Sequence, residues 1–253
     1  MNYYWPSKSA LVILAVLTFV TPFWDLAVVK RLKADPHSSL RVRLYCMTLL
    51  SLWTMAIVSW FWRGGVVFPA WHGMIGPSWL FSSPWRTWTL HVVLVGFFVL
   101  ALAPGMHCLI QPKRIVAYTR AYEKFAFFLP HTQRERLLFA LLSVSAGVCE
   151  EWLFRGFVLQ TLHGTTRLPW IAALLLSSML FGWNHLYLGS RELVMTTVIG
   201  LALGLVTISN GGLVLPMILH TFLDLQLLIV FHPDISADVI LSLAAQENSS
   251  LGS

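Results

Sequence analysis

Long apolar runs recur along the chain, and they constrain its fold more than any other feature. Hydrophobic residues are 57% of the sequence, charged residues only 11%, and the mean hydropathy is +0.71. Each run holds close to the ~20 residues that a helix needs to cross a bilayer. The runs are 9–29, 44–62, 88–110, 137–162, 169–187, 193–209 and 213–231. Because backbone hydrogen bonds inside a membrane must be satisfied within the protein, we predict an all-α fold, a polytopic transmembrane helical bundle of about seven to eight spans.

The whole chain, 1–253, is predicted to be a single membrane domain. We divide it into N-terminal spans and basic loops at 1–136, catalytic core helices at 137–231 and a flexible C-terminal tail at 232–253. Residues 63–87 are rich in Gly, Pro and Trp, and we interpret them as a non-cytoplasmic loop, with a partly re-entrant or interfacial course as the alternative. A further helix within this loop would supply the eighth span.

Basic residues gather in the loops between the apolar runs, and their distribution predicts the orientation of the chain. Most of the 17 Lys and Arg residues fall at 30–43 and 111–136, and the second of these loops is predicted to hold an amphipathic interfacial helix at 121–130. The positive-inside rule favours an N-terminus outside and a C-terminus in the cytoplasm. This distribution explains the net charge of +6 without nucleic acid, and the expected partner is the lipid bilayer.

The location is predicted from the ends and loops of the chain. The N-terminus is short, the loops are compact, and no organelle signal is recognised. We therefore expect an integral, multi-pass protein of a bacterial inner (cytoplasmic) membrane.

Two adjacent acids, Glu150 and Glu151, lie near the middle of the fourth apolar run. An ionisable group at bilayer depth costs at least ~2.5 kcal/mol, so it marks a functional site by default. Glu151 and Arg155 are four residues apart on one helix face and can pair. Glu150 points about 100° away from that face and has no partner within its own helix. We interpret Glu150 as the reactive carboxylate, with its counter-groups on other helices.

Further polar side chains occur in the fifth and seventh runs. His185 follows Phe181 by one helical turn, so the aromatic ring can wall off one side of the imidazole. His220 and Asp224 are also one turn apart, so the carboxylate can orient or charge the ring. Each group alone has a structural explanation: a single intramembrane histidine is more often a packing residue, and Asn184 most simply bridges helices. Two acids and two histidines on three spans together favour the handling of water and protons.

Three motifs follow one another in this part of the chain: Glu-Glu-x-x-x-Arg at 150–155, Phe-x-x-x-His at 181–185 and His-x-x-x-Asp at 220–224. In this order they resemble the CPBP family of intramembrane proteases, which includes the Ras-converting CAAX prenyl endopeptidase and the bacterial Abi and bacteriocin-processing proteins. The N-terminal apolar runs resemble this family only in that they form several predicted spans. The resemblance implies an intramembrane endopeptidase that hydrolyses a peptide bond in a membrane-associated protein or peptide with glutamate-activated water.

The resemblance also implies roles for the matching positions. Glu150 resembles the glutamate that acts as general base on water, and His185 resembles the histidine that helps to hold this water. His220 and Asp224 resemble the pair that stabilises the tetrahedral oxyanion. The prenyl-protease branch commonly has Asn at the last position, and an ionised Asp cannot donate a hydrogen bond, so we expect Asp224 to orient His220, which supplies the donor. Supporting roles are expected for Glu151, Arg155, Phe181 and Asn184.

No cofactor or metal is predicted. Glu150, His185 and His220 would be acceptable zinc ligands with an open fourth position, but the chain has no His-Glu-x-x-His motif, and we favour the metal-free glutamate mechanism. Two other functions are compatible with the same residues. A proton-coupled transporter would use the acids and histidines as a relay, although no internal repeat is evident. A catalytically idle immunity or scaffold protein would not need them to react.

Overall fold

The computed structural model describes residues 8–34, 38–62, 83–164 and 168–232, which form helices joined by turns. The α-helices of these residues are α1 (Lys8–Ala15), α2 (Thr21–Ala34), α3 (Ser38–Trp62), α4 (Pro84–Ile110), α5 (Arg114–Tyr122), α6 (Gln133–Glu151), α7 (Leu159–Gly164), α8 (Trp170–Trp183), α9 (Ser190–Asn210), α10 (Val214–Leu225) and α11 (Leu227–Val230). The π-helical segments Val16–Val20 and Trp152–Val158 join α1 to α2 and α6 to α7. No strand occurs in the described ranges, and the predicted all-α fold is confirmed.

The predicted transmembrane character is also confirmed. Five helices of the described residues are long and apolar enough to cross a membrane: Val12–Ala34, Ser39–Phe61, Pro84–Ile110, Gln133–Gly164 and Ser190–Asn210. The predicted runs at 169–187 and 213–231 contain the shorter apolar helices Trp170–Trp183 and Val214–Val230. The first of these stops early because the chain turns into a 3₁₀ helix at Leu186–Leu188.

The connection between α4 and α6 differs from its prediction. The interfacial helix predicted at 121–130 is wrong in its position, because the helix of this connection is α5, which ends at Tyr122. Beyond Tyr122 the chain winds into a 3₁₀ helix at Glu123–Phe125 and does not continue as an α-helix. Most of the loop predicted at 63–87, and the tail after His232, lie outside the described residues.

Helix α6 is the central element of the bundle. A capping box starts it: Glu135 N–H donates to Thr132 Oγ1 at 3.2 Å, and Thr132 N–H donates to Glu135 Oε2 at 3.2 Å. In the most apolar window of Gln133–Gly164, 61% of the residues are buried, compared with 22% in each of the first three spans. The two glutamates therefore belong to the helix that is most enclosed by protein.

Small residues allow close contacts at the helix crossings. A Cβ atom added at Gly147 would lie 2.9 Å from Met217 O and 2.9 Å from Thr221 N, so α6 and α10 approach backbone to backbone. Gly182 has the same role between α8 and α9, where an added Cβ would lie 2.7 Å from Leu193 O. These crossings bring the segments that carry the three motifs into one bundle.

The N-terminal helix is attached to the end of α8 by hydrogen bonds. Trp183 Nε1 donates to Thr18 O at 2.9 Å, and Asn184 Nδ2 donates to Leu17 O at 3.1 Å. The hydroxyl of Thr21 donates to Asn184 Oδ1. One face of the N-terminal helix is thereby fixed against the turn that follows α8.

Candidate active site

Glu150 and Glu151 are the last two residues of α6, immediately before the wider turns of the π-helical segment Trp152–Val158. Glu151 is fully buried, whereas Glu150 is partly buried. A π-helical segment is rare and frequently occurs at a functional site. The two acids thus occupy the place where the winding of the central helix changes.

The carboxylate of Glu151 joins three helical segments. Its Oε1 atom accepts hydrogen bonds from Arg155 Nη1 at 2.7 Å and from His220 Nδ1 at 2.9 Å. Arg155 Nη2 donates in turn to Gly200 O in α9, at 2.7 Å. The pairing of Glu151 with Arg155 follows from their spacing, but the contact with His220 could not be read from the sequence. The ring of His220 is therefore oriented by an acid on another helix.

Asp224 is further from His220 than local spacing suggests. Its Oδ2 atom lies 3.8 Å from His220 Nε2, which is beyond hydrogen-bond distance. Asp224 is also partly exposed, with 34% of its side chain accessible. Asp224 thus interacts with the ring by charge, while Glu151 makes the hydrogen bond.

His185 lies in the turn after α8 and is held by the backbone. Its Nδ1 atom lies 2.9 Å from Phe181 O, and because a carbonyl only accepts, Nδ1 carries the proton. The ring of Phe181 lies 4.9 Å from that of His185 and 5.7 Å from that of His220, measured between centroids. The guanidinium of Arg155 lies 4.6 Å from the Phe181 centroid. Phe181 therefore packs against both imidazoles.

Glu150 differs from Glu151 in having no hydrogen-bond partner among the described residues. Its Oε2 atom is buried and makes no hydrogen bond with any of the described residues. Most buried polar atoms in proteins have a partner, either in the protein or in ordered water. An acceptor that needs a partner is thus present at this position.

A cavity of about 210 Å³ brings the motif residues together. Its wall includes Glu150, His185, His220 and Asp224, together with Phe181, which packs against both imidazoles. The remaining wall is mostly apolar and is contributed by α2, α3, α6, α9 and α10. Asn184 is not part of this wall and instead bonds to the N-terminal helix. A carboxylate and two imidazoles at one small cavity can bind water and transfer protons.

Two further residues of the wall were not selected from the sequence. Asp25 lies in the first apolar run, and Tyr187 is in the short helix that follows His185. The ring of Tyr187 stacks near that of His185, with centroids 6.1 Å apart and planes at 25°. The criterion that selects Glu150, an acid within an apolar run, also applies to Asp25 and would have found it.

The positions of the side chains bear on the alternative in which Glu150, His185 and His220 bind zinc. Among the described residues, no group of three His, Cys, Asp or Glu side chains is arranged to hold a metal ion. Glu150, His185 and His220 line one cavity but do not form such a group. No reaction step is therefore assigned to a metal.

The described residues combine apolar helices of membrane-spanning length with a cavity lined by Glu150, His185 and His220, as expected of an integral membrane protein with polar groups inside its helical bundle. Residues 132–226 match the family described as type II CAAX prenyl endopeptidase Rce1-like, and this segment contains all three motifs. The resemblance predicted from the motifs is confirmed over these residues. No curated protein and no solved structure matches the chain.

Proposed function

We propose that the protein is an intramembrane endopeptidase that hydrolyses a peptide bond in a membrane-associated protein or peptide, with Glu150 as the general base. The observation that carries the proposal is the cavity whose wall gathers Glu150, His185, His220 and Asp224. A bacterial inner membrane is the proposed location, and the bilayer and the membrane-associated substrate are the proposed partners.

Glu150 is assigned the role of activating the water because, unlike Glu151, it lines the cavity, and its buried Oε2 atom has no partner among the described residues. An ionised carboxylate is an acceptor at both oxygens and can take a proton from a bound water. A carboxylate in apolar surroundings is also a better base than one in water. Its position at the cavity, beside the two imidazoles, supports this role.

His185 is assigned to holding the same water. Its Nδ1 proton is bound by Phe181 O, so in the neutral ring Nε2 carries a lone pair. A lone pair at Nε2 accepts a hydrogen bond from the water and aligns it for Glu150. The packing of Phe181 against the ring limits its rotation.

His220 is assigned to the oxyanion. Because Nδ1 donates to Glu151, only Nε2 is available for the substrate, and it donates when the ring is doubly protonated. The charges of Glu151 and Asp224 favour this protonated ring, and Asp224 itself is not required to donate. An imidazolium next to the cavity would stabilise the negative oxygen of a tetrahedral intermediate.

The proposed reaction balances without a cofactor. Glu150 removes one proton from water, and the hydroxide adds to the carbonyl carbon while the carbonyl oxygen becomes negative. When the intermediate collapses, the C–N bond breaks and the proton held by Glu150 passes to the leaving nitrogen. The products are a carboxylic acid and an amine, which become a carboxylate and an ammonium when the acid proton passes to the amine, and Glu150 is regenerated as a base.

Cleavage of a panel of fluorogenic membrane-anchored peptides tests the proposal. Replacing the base in Glu150→Gln should lower kcat by about 10²- to 10⁴-fold, which is the usual contribution of general acid–base catalysis. Glu123→Gln is the matched control, because it removes a carboxylate that is exposed and not part of the cavity wall. Cleavage by Glu150→Gln at the wild-type rate contradicts the mechanism.

A strong chelator should leave the activity of the wild type unchanged. Activity that is lost with the chelator and restored by zinc would instead make Glu150, His185 and His220 metal ligands. Proton flux in liposomes without any proteolysis would favour the transporter.

A further inference from the structure

Asp25 is an acid of the cavity that the proposed mechanism does not use. It lies in α2, far from the three motifs in sequence and outside the segment that matches the family. It nevertheless lines the same cavity as Glu150 and His185. A carboxylate within a membrane-spanning helix is costly, and it is usually paired or functional.

The position of Asp25 is set by its neighbours on the helix. Thr21, Asp25 and Val29 are spaced four residues apart and share one helix face. Thr21 is hydrogen-bonded to Asn184, next to His185, and Val29 lines the cavity. Asp25 lies between Thr21 and Val29 on this face, so the contacts of these two residues place its carboxylate at the cavity.

Asp25 has no ion-pair partner in the described part of the chain. Asp25 makes no hydrogen bond or ion pair with another described residue, and no Lys or Arg of these residues lines the cavity. Glu150 and Asp224 add two further carboxylates, and Oε2 of Glu150 is itself buried and unpartnered. His220 is engaged with Glu151. The cavity thus has an excess of negative groups in apolar surroundings, which attracts a cation.

We propose that Asp25 is a specificity-determining residue whose carboxylate binds a basic side chain of the substrate, a lysine or an arginine, next to the scissile bond. This inference rests on the proposed endopeptidase function. Because an endopeptidase cleaves internal bonds, the cation belongs to a side chain rather than to a chain terminus. The substrate class is therefore a membrane-associated peptide with a basic residue beside an otherwise apolar cleavage site, which suits a mostly apolar cavity with an acidic end.

The test uses the purified full-length protein and three membrane-anchored peptides that differ only at one residue flanking the scissile bond. This residue is lysine, norleucine or glutamate, and each flanking position is examined in turn. For the wild type we expect kcat/KM to be at least about tenfold higher for the lysine peptide than for the norleucine peptide. The norleucine peptide leaves the carboxylate of Asp25 without a partner, and leaving a buried charge unpaired is strongly unfavourable. In Asp25→Asn this ratio should fall to about one, and in Asp25→Lys the glutamate peptide should become the best substrate.

Glu123→Gln, which removes an exposed acid, should keep the ratio of the wild type. An equal lysine preference in the wild type and Asp25→Asn overturns the proposal. Equal loss of cleavage of the lysine and norleucine peptides in Asp25→Asn also overturns it, because a purely structural or catalytic role of Asp25 has this effect.

Binding separates this proposal from the proposed reaction. Fluorescence anisotropy of the labelled lysine and norleucine peptides is measured with Glu150→Gln, alone and combined with Asp25→Asn. Tighter binding of the lysine peptide that depends on Asp25 supports the specificity role, even when the wild type cleaves no peptide. The absence of cleavage contradicts only the proposed endopeptidase function. If cleavage depends on Glu150 but the affinities for the two peptides do not change in the variant with Asp25→Asn, only the specificity role is contradicted.

Discussion

Oε1 of Glu151 lies 2.9 Å from Nδ1 of His220, and the same oxygen accepts a hydrogen bond from Arg155 at 2.7 Å. All three side chains are buried. One carboxylate therefore determines the orientation of a ring on α10 and compensates the charge of a guanidinium on its own helix. Glu151 is best described as a positioning residue, since it acts through His220 and does not line the cavity.

The double role of Glu151 predicts that stability and activity can be separated. Glu151→Gln leaves the Arg155 charge buried without its counter-charge, and breaking a buried pair in this way costs about 3–5 kcal/mol. In this variant the ring of His220 should also lose its fixed orientation, and we expect kcat to fall by at least about tenfold as a result. Replacing both partners, in Glu151→Gln combined with Arg155→Met, should recover much of the stability but not the activity. Unfolding in detergent and peptide cleavage measure the two effects, and recovery of kcat in the double variant would contradict the positioning role.

The close contacts of Gly200 predict that adding one methyl group at this position disturbs the candidate active site. An added Cβ would lie 3.0 Å from Phe181 Cδ1 and 3.3 Å from Arg155 Nη2. Gly200→Ala should therefore displace the Phe181 ring, which packs against His185 and His220, and reduce kcat. The overpacking should also cost about 1–3 kcal/mol of stability. Gly96→Ala is the matched control, because an added Cβ there meets no atom within 4 Å. Equal activity of the two variants would show that the spacing of the imidazoles does not depend on this contact.

The hydrogen bond between Thr21 and Asn184 predicts coupling between the N-terminal helix and the site. Thr21→Val and Asn184→Ala each remove it, and hydrogen bonds between membrane helices contribute about 0.6 kcal/mol on average and up to about 1.7 kcal/mol. A double-mutant cycle on the free energy of unfolding should give a coupling in this range. Thr54→Val serves as the control, since the Thr54 hydroxyl bonds only within its own helix, to Leu50 O. Additive effects of the two substitutions would mean that the bond does not stabilise the attachment.

Much of the fold follows from the sequence, because apolar length and helical periodicity are local properties. The runs at 9–29 and 193–209 agree with the spanning helices Val12–Ala34 and Ser190–Asn210. The early end of α8 was not predictable from hydropathy, since the residues of the turn at Leu186–Leu188 are as apolar as a helix.

The site shows the same division between local and long-range information. Spacing within one helix predicts that Glu151 and Arg155 can pair, and they do. It also suggests Asp224 as the hydrogen-bond partner of His220, but the rotation of α6 against α10 gives this place to Glu151. Such a rotation depends on close packing at Gly147, and no pattern within a single helix reports it.

The π-helical segment Trp152–Val158 lets the central helix carry one extra residue within its length. A π-helical turn holds more residues than an α-helical turn, so it accommodates the equivalent of an inserted residue without interrupting the helix. Deleting one residue here would therefore rewind the segment as an ordinary helix and leave the residues beyond it in nearly the same rotation relative to the two glutamates. The same deletion in the α-helical part of α6 would rotate everything beyond it by about 100°. A change in length within this segment is thus compatible with the angular register between the acids and the rest of the bundle, whereas a change elsewhere in α6 is not.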